Sequence, residues 1–353
     1  MLPNIVDAED IYDSQKKNIC FILSEGFEDR AMSWIRRQPI SQDLFSEVLI
    51  CKYSPSKRSR YEEVYSEVAR RTKNIHTLIF NRYNPTPFEQ EFGVNIHNIN
   101  DYDEIILDIS VMSKLLIIII INSLKNYMKK LRIIYTEPLS WSPCKERFDF
   151  EIENRESKNG SKEFIPFITL SSVGIYDIVK TPGLSSIVMQ NCPAHLVAFL
   201  SFNQQLISGL FRDLSPEQVT LINSCSTRKT ETWRKNATER IHQEIIQSMK
   251  SCLKLETIQF TDYKGVFEKL VEIYHSTYYS KRMILAPIGC KLHAVSCALI
   301  KICCPDIHVE YPIPDSYMFD GYSTPEIFKI HQIEFISFKN DLDEVSIQYN
   351  LNM

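Results

Sequence analysis

Residues 101–141 read DYDEIILDISVMSKLLIIIIINSLKNYMKKLRIIYTEPLSW. An apolar run at 105–107 ends in Asp108. A polar turn follows at 110–114, and an apolar segment at 115–121 passes into a helix-like, lysine- and leucine-rich stretch at 122–130. A second apolar run, 131–135, closes in Thr136, Glu137 and Pro138. Strand, turn, helix, strand is the unit of a parallel sheet. Residues just past the carboxyl end of a strand in such a sheet face the ligand crevice. Here they are Asp108, Ser110, Ser113 and Lys114.

The unit returns at 281–314, KRMILAPIGCKLHAVSCALIKICCPDIHVEYPIP. Ile284 and Leu285 answer Ile106 and Leu107. Gly289 and Lys291 answer the Ser113–Lys114 corner, and residues 307–311 answer 131–135. Each copy ends at a tyrosine, Tyr135 or Tyr311, with a proline close behind. A period this long indicates tandem domains, not a solenoid. The fold expected is therefore α/β: two Rossmann-like parallel-sheet domains arising from an internal duplication.

The chain has 353 residues, 44% hydrophobic and 24% charged, enough for two ordinary globular domains. Its formal net charge of -4 gives no broad attraction to nucleic acid, so direct nucleic-acid binding is not favoured. Ten cysteines without paired spacing, and no secretory signal, fit a reducing cytoplasm. The longest purely apolar run, 115–121, is too short to cross a bilayer, so no membrane partner is expected. Only 9 glycines occur, with neither a G-x-G-x-x-G nor a Walker loop, and no H-E-x-x-H or C-x-x-C pair. No cofactor and no metal are expected.

Residues 18–23 form the first expected strand, ending at the Ser24-Glu25-Gly26 corner before a helix at 31–37. Gly26 stands where a Rossmann-like sheet meets its ligand, and helix amides there can hold an anion. Glu28 and Asp29 complement the helix dipole. Arg30 either reaches a ligand or pairs with a neighbouring carboxylate. After a second strand at 47–51 come Lys57, Arg58 and Arg60, which either receive a phosphate or form a solvated face. Ser54 and Lys57 make a lone S-x-x-K match in a charged loop, a weak signal for acyl-serine chemistry. The third strand is expected at 76–80.

A polar insert at about 144–163 reads as an exposed hairpin or loop. The boundary is placed near 190, giving an N-terminal domain, 1–190, and a C-terminal domain, 191–353. The second half repeats the order. A strand at 196–200 answers the first, one at 218–222 answers the second, and the segment from Ser224 to Arg228 and Lys229 answers 54–60. Residues 333–347 read as one or two further strands, a β-rich tail.

Among carboxylates, Asp108 is either a general base or a cap for the turn that follows. Glu137 could face it across the crevice, and the two could then do acid–base work. The second copy has Ala286 and Ile313 at those places. His293 could touch a ligand or sit satisfied within its helix.

Two fused units of this kind, with a Ser/Gly-x-x-Lys corner after a central strand, resemble the CARF and SAVED families of prokaryotic antiviral defence. Ile288-Gly289-Cys290-Lys291 is similar to the Gly-Gly-Thr-Lys turn of CARF proteins, with Ile288 in place of one glycine. Residues 108–113 sit where those proteins carry a strand-end Asp and Ser/Thr. The resemblance implies strand-end loops that bind a cyclic oligonucleotide. It also implies a separate effector, a nuclease or ATPase, since no effector domain is recognisable in the sequence.

The expectation is a sensor or adaptor that binds a nucleotide-like, phosphate-bearing ligand between two facing domains. Lys114, Lys291, Arg58 and Arg228, with Arg30, would neutralise phosphate. Gly26, Ser110, Ser113 and Gly289 would let backbone and hydroxyl groups approach it. Tyr135 or Tyr311 could stack on a base. The alternatives are a nucleotide-cleaving hydrolase using Asp108 and Glu137, helped by Glu25 or Glu28, and a non-catalytic assembly subunit of a defence complex.

Overall fold

The computed structural model describes residues 1–10, 17–96, 98–158, 172–249, 251–317 and 322–351. It is a mixed α/β structure built on two sheets. In the first, five parallel strands lie in the order Ile75–Phe80, Glu47–Tyr53, Ile19–Ser24, Glu104–Asp108, Lys130–Pro138. In the second, five parallel strands lie in the order Leu253–Gln259, Gln218–Cys225, Ala194–Phe199, Arg282–Ala286, His308–Val309. Taken along the chain, each half runs third, second, first, fourth, fifth, so the repeat seen in the sequence is a repeat of topology. The central strands are apolar but for their ends because both of their faces are covered; Ile19–Ser24 and Glu104–Asp108 are buried at every position.

The helix after the fourth strand is Lys114–Ser123, KLLIIIIINS. Five consecutive isoleucines favour a strand by propensity. Here tertiary burial decides, since every residue from Leu115 to Asn122 is buried. Ser113 caps the helix, its Oγ accepting from the Leu116 amide at 3.3 Å. The helix therefore ends almost where the lysine-rich helical stretch was read to begin, and residues 124–129 form a turn. It packs against its counterpart in the other half, Lys291–Cys303, and against Thr86–Asn95. One apolar cluster runs through this helix pair and joins the two sheets. Replacing Ile118, fully buried in it, by Ala costs about 2–5 kcal/mol.

Two sequence expectations are corrected. The polar insert begins with an α-helix, Lys145–Lys158, where a hairpin or loop was expected; residues 159–171 lie outside those described. Phe148 and Ile152 stand four apart, on one face. That face is buried against Phe202, Trp233, Ala237 and Ile241 of the second half. The segment expected to be a β-rich tail forms one strand, Ile327–Phe335, followed by a helix, Phe338–Gln348. That strand pairs antiparallel with Lys130–Pro138 and with Ile5–Asp7, and so extends the first sheet. Two short ribbons tie residues 172–179 to 311–317: Ser172–Val173 with Ser316–Tyr317, and Asp177–Val179 with Tyr311–Ile313.

Candidate functional site

In each sheet the chain departs from the first and fourth strands in opposite directions, and a crevice opens outside their carboxyl ends. The ends are Ser24 and Asp108 in one half, Phe199 and Ala286 in the other. The paired helices start at these crevices, so the two crevices meet.

They form two adjoining clefts of about 220 and 200 Å³. The first is walled by Gly26, Val111 and four tyrosines, Tyr53, Tyr83, Tyr311 and Tyr317. The second is walled by Trp141, Phe202, Phe260, Arg234 and Gly289. Lys114, Lys291 and Tyr322 line both and mark the seam.

Lys114 and Lys291 are the first residues of their helices. A cation at the positive end of a helix dipole is unfavourable unless something compensates it. Among the described residues neither ammonium has a hydrogen-bond or ion-pair partner. Burial and then the charge of Arg30 push Lys291 down to about 7. Burial also lowers Lys114, with Arg30 adding to the effect. The carboxylate close by, Glu28, is already committed. Arg30 grips it with Nε and Nη2 at 2.9 and 3.0 Å, and the Ser323 hydroxyl donates to it at 2.5 Å. Burial opposes its ionisation, yet Arg30 and Lys291 outweigh this and hold Glu28 below the usual glutamate value. The seam therefore carries more positive than negative charge, with amides and ammonium groups open to an anion.

The residues expected from the sequence divide between the clefts and the scaffold behind them. Gly26, Arg58, Ser113 and Lys114 line the first cleft; Arg30, Lys114, Gly289 and Lys291 line the second. Gly26 has φ +56, and a Cβ there would lie 2.6 Å from Val111. At Gly289 a Cβ would meet Phe199 at 2.7 Å, so this glycine serves packing. Ser113 caps its helix, and its amide donates to the Tyr53 hydroxyl at 2.7 Å. Arg58 is exposed on the rim. Arg30, besides Glu28, donates to the Thr136 carbonyl at 2.8 Å.

Ser110, Asp108, Glu137 and Arg228 line neither cleft. Ser110 is buried, its Oγ accepting from the Thr136 amide at 2.8 Å. Asp108 caps the turn through its Oδ1, which accepts from the Ser110 amide at 2.8 Å. Its Oδ2 is buried without a partner, and burial pushes the carboxyl up to about 6. Glu137 accepts from Arg228 and pairs with His331, both at 2.7 Å. Asp108 and Glu137 do not meet across a crevice. His293 is buried, its Nε2 on the Gln259 carbonyl at 3.1 Å.

Sequence reasoning missed most of the aromatic walls. Tyr311 and Tyr135 were expected and do line the clefts; Tyr53, Tyr83, Tyr317, Tyr322, Trp141, Phe202 and Phe260 were not. The available signal was position, since Tyr53 ends its strand and Tyr83, Trp141 and Phe202 each lie three residues past one.

Among the described residues no helix is long and apolar enough to cross a membrane, and no group of His, Cys, Asp or Glu could hold a metal ion. No protein-family model matches the chain, and no curated protein matches it. Among solved structures, a Type III CRISPR defence DNA nuclease activated by cyclic oligoadenylate is similar at a TM-score of 0.41 and 8% identity, over 88% of this chain and 68% of that one. The cytoplasmic domain of a prokaryotic cation chloride cotransporter is similar at a TM-score of 0.23 and 8% identity, over 85% of this chain and 96% of that one. Likenesses this loose carry no argument about function.

Proposed function

We propose that the chain is a sensor or adaptor of an antiviral defence system that binds a nucleotide-like, phosphate-bearing ligand across the two adjoining clefts. The observation that carries this reading is the pair Lys114 and Lys291. Each opens one of two packed helices, each lacks a partner among the described residues, and each lines both clefts. Cations placed at the positive end of a helix dipole, in a half-buried site, are costly to the free protein. A bound phosphate removes that cost and gains charge-assisted hydrogen bonds. Aromatic walls on either side suit nucleobases, which stack at about 1–3 kcal/mol per base. The CARF- and SAVED-like corner of the sequence, residues 288–291, lies at this seam and agrees with a cyclic oligonucleotide as ligand. A separate effector, a nuclease or ATPase, would read out the bound state.

The test is calorimetric titration and thermal shift of the purified protein with cyclic oligonucleotides. The expected result is binding that raises the melting temperature and is lost in Lys114→Ala and Lys291→Ala. Absence of binding across the panel overturns the reading. A ligand consumed over time moves the protein into the enzyme class.

A further inference from the structure

We propose that the second cleft is a nucleobase subsite in which the Glu231 carboxylate selects an edge bearing two neighbouring N–H donors, that of guanine. This rests on the nucleotide-binding reading above and adds to it the identity of one base. Glu231 lines the second cleft and is 5% exposed. Neither of its oxygens accepts a hydrogen bond from a described residue, and Oε2 is buried with only an ion pair to Arg234 beyond hydrogen-bond reach. Its nearest cation, Arg234, approaches only to 3.6 Å. That guanidinium is engaged elsewhere, donating to the carbonyls of Trp141, Ser142 and Pro143 at 3.2, 3.0 and 2.9 Å. A carboxylate buried with acceptors unfilled is costly, and the cost persists until a donor arrives.

The residue is also held in place. Its amide donates to the Arg228 carbonyl at 2.9 Å, and its own carbonyl accepts from the Arg234 amide at 3.2 Å, at the start of the helix Trp233–Ile241. Trp141, Phe202 and Phe260 give the same cleft flat apolar walls, the second requirement of a base pocket. Lys291 and Lys114 line the same cleft and are there for a phosphate. Guanine presents N1–H and the exocyclic N2–H side by side, which fills a carboxylate. Adenine presents an acceptor, N1, beside its amine, and that acceptor would oppose the carboxylate. The first cleft differs, since Glu28 on its wall is filled by Arg30 and Ser323. The two clefts are thus unlike in what they ask of a base.

The experiment titrates the full chain with cyclic oligonucleotides of two, three and four residues, each made all-adenylate, with one guanylate, and with one inosinate in its place. Expected is a preference of roughly tenfold or more for the guanylate-containing ring of the fitting size, the scale of a good bidentate pair. Inosinate, lacking the exocyclic amine, should fall between. Glu231→Gln, of nearly the same shape, offers one donor and one acceptor and should reverse the preference toward adenylate. Equal binding of all rings, unchanged in Glu231→Gln but lost in Lys291→Ala, overturns the base assignment and leaves the nucleotide-binding reading standing. No binding by any ring overturns both.

Discussion

Arg228, from the second half of the chain, donates to Glu137, from the first, at 2.7 Å, in a setting where Glu137 is 1% exposed and His331 closes its other oxygen. The same guanidinium donates to the carbonyls of Pro138 and Leu139 and lies 4.2 Å from the Phe328 ring centroid. A residue expected to hold phosphate is in fact a clasp between halves. Breaking a buried pair leaves an uncompensated charge. Arg228→Ala should cost about 3–5 kcal/mol of unfolding free energy by urea titration. Arg228→Ala combined with Glu137→Gln should recover part of it. A loss below about 1 kcal/mol would refute the clasp.

Lys291 gives a pH dependence whose sign is fixed by its surroundings. Its folded value is about 7, against an ordinary 10.5. Between those values the unfolded chain holds a proton that the folded chain does not. Stability therefore rises with pH across that window. Lys291→Met should flatten the rise, read as urea midpoints at several pH values. The same logic makes affinity for an anionic ligand fall as pH climbs past about 7, since only the protonated lysine attracts it.

Asp108 titrates in the opposite sense. Burial raises it from 3.8 to about 6, so the folded state takes up a proton that the unfolded state lacks between those values. Stability should fall as pH rises through that interval. Asp108→Asn keeps an acceptor for the Ser110 amide, should remove this slope, and should leave ligand affinity within about twofold, because Asp108 lines neither cleft. Turnover of any nucleotide that vanishes in Asp108→Asn would instead revive the hydrolase.

Gly26 sits at φ +56 against Val111. Gly26→Ala should destabilise by about 1–3 kcal/mol. The paired change Gly26→Ala and Val111→Gly should relieve the steric share, since the Cβ and Cγ2 of Val111 both lie 2.6 Å from the added methyl, and leave the backbone share. Thermal melts of the three variants check this.

What the sequence disclosed was local. The strand–turn–helix–strand units at 101–141 and 281–314, the place of Lys114 and Lys291 at the corner past a strand end, and the glycine at the first crevice all follow from periodicity and turn chemistry within some forty residues; the start of the first helix at Lys114, with the expected helix at 122–130, does not. The strand order, repeated in both halves, agrees with that reading. What stayed hidden was long-range. Nothing near Glu137 announces Arg228, and nothing in the polar run at 144–163 says that Phe148 and Ile152 will find Phe202 and Trp233. The isoleucines after Lys114 could not settle their own conformation, because burial on every side overrides propensity. The aromatic walls carry neither charge nor periodicity to mark them, although Tyr53, Tyr83, Trp141, Phe202 and Phe260 each sit at or just past a strand end.

The strand Ile327–Phe335 lies between Lys130–Pro138 and Ile5–Asp7, and so sets a timetable for synthesis. A nascent chain reaches Pro138 long before residue 327 emerges, about 10–40 s earlier at 5–20 residues per second. Through that interval Lys130–Pro138 presents an unpaired edge, the template on which strands from other chains add. The N-terminal Ile5–Asp7 must wait for the same arrival, since its neighbour in the sheet is that late strand. The first sheet is thus completed only once residues 327–335 have been made, and until then its Lys130–Pro138 edge stays open to strands of other chains.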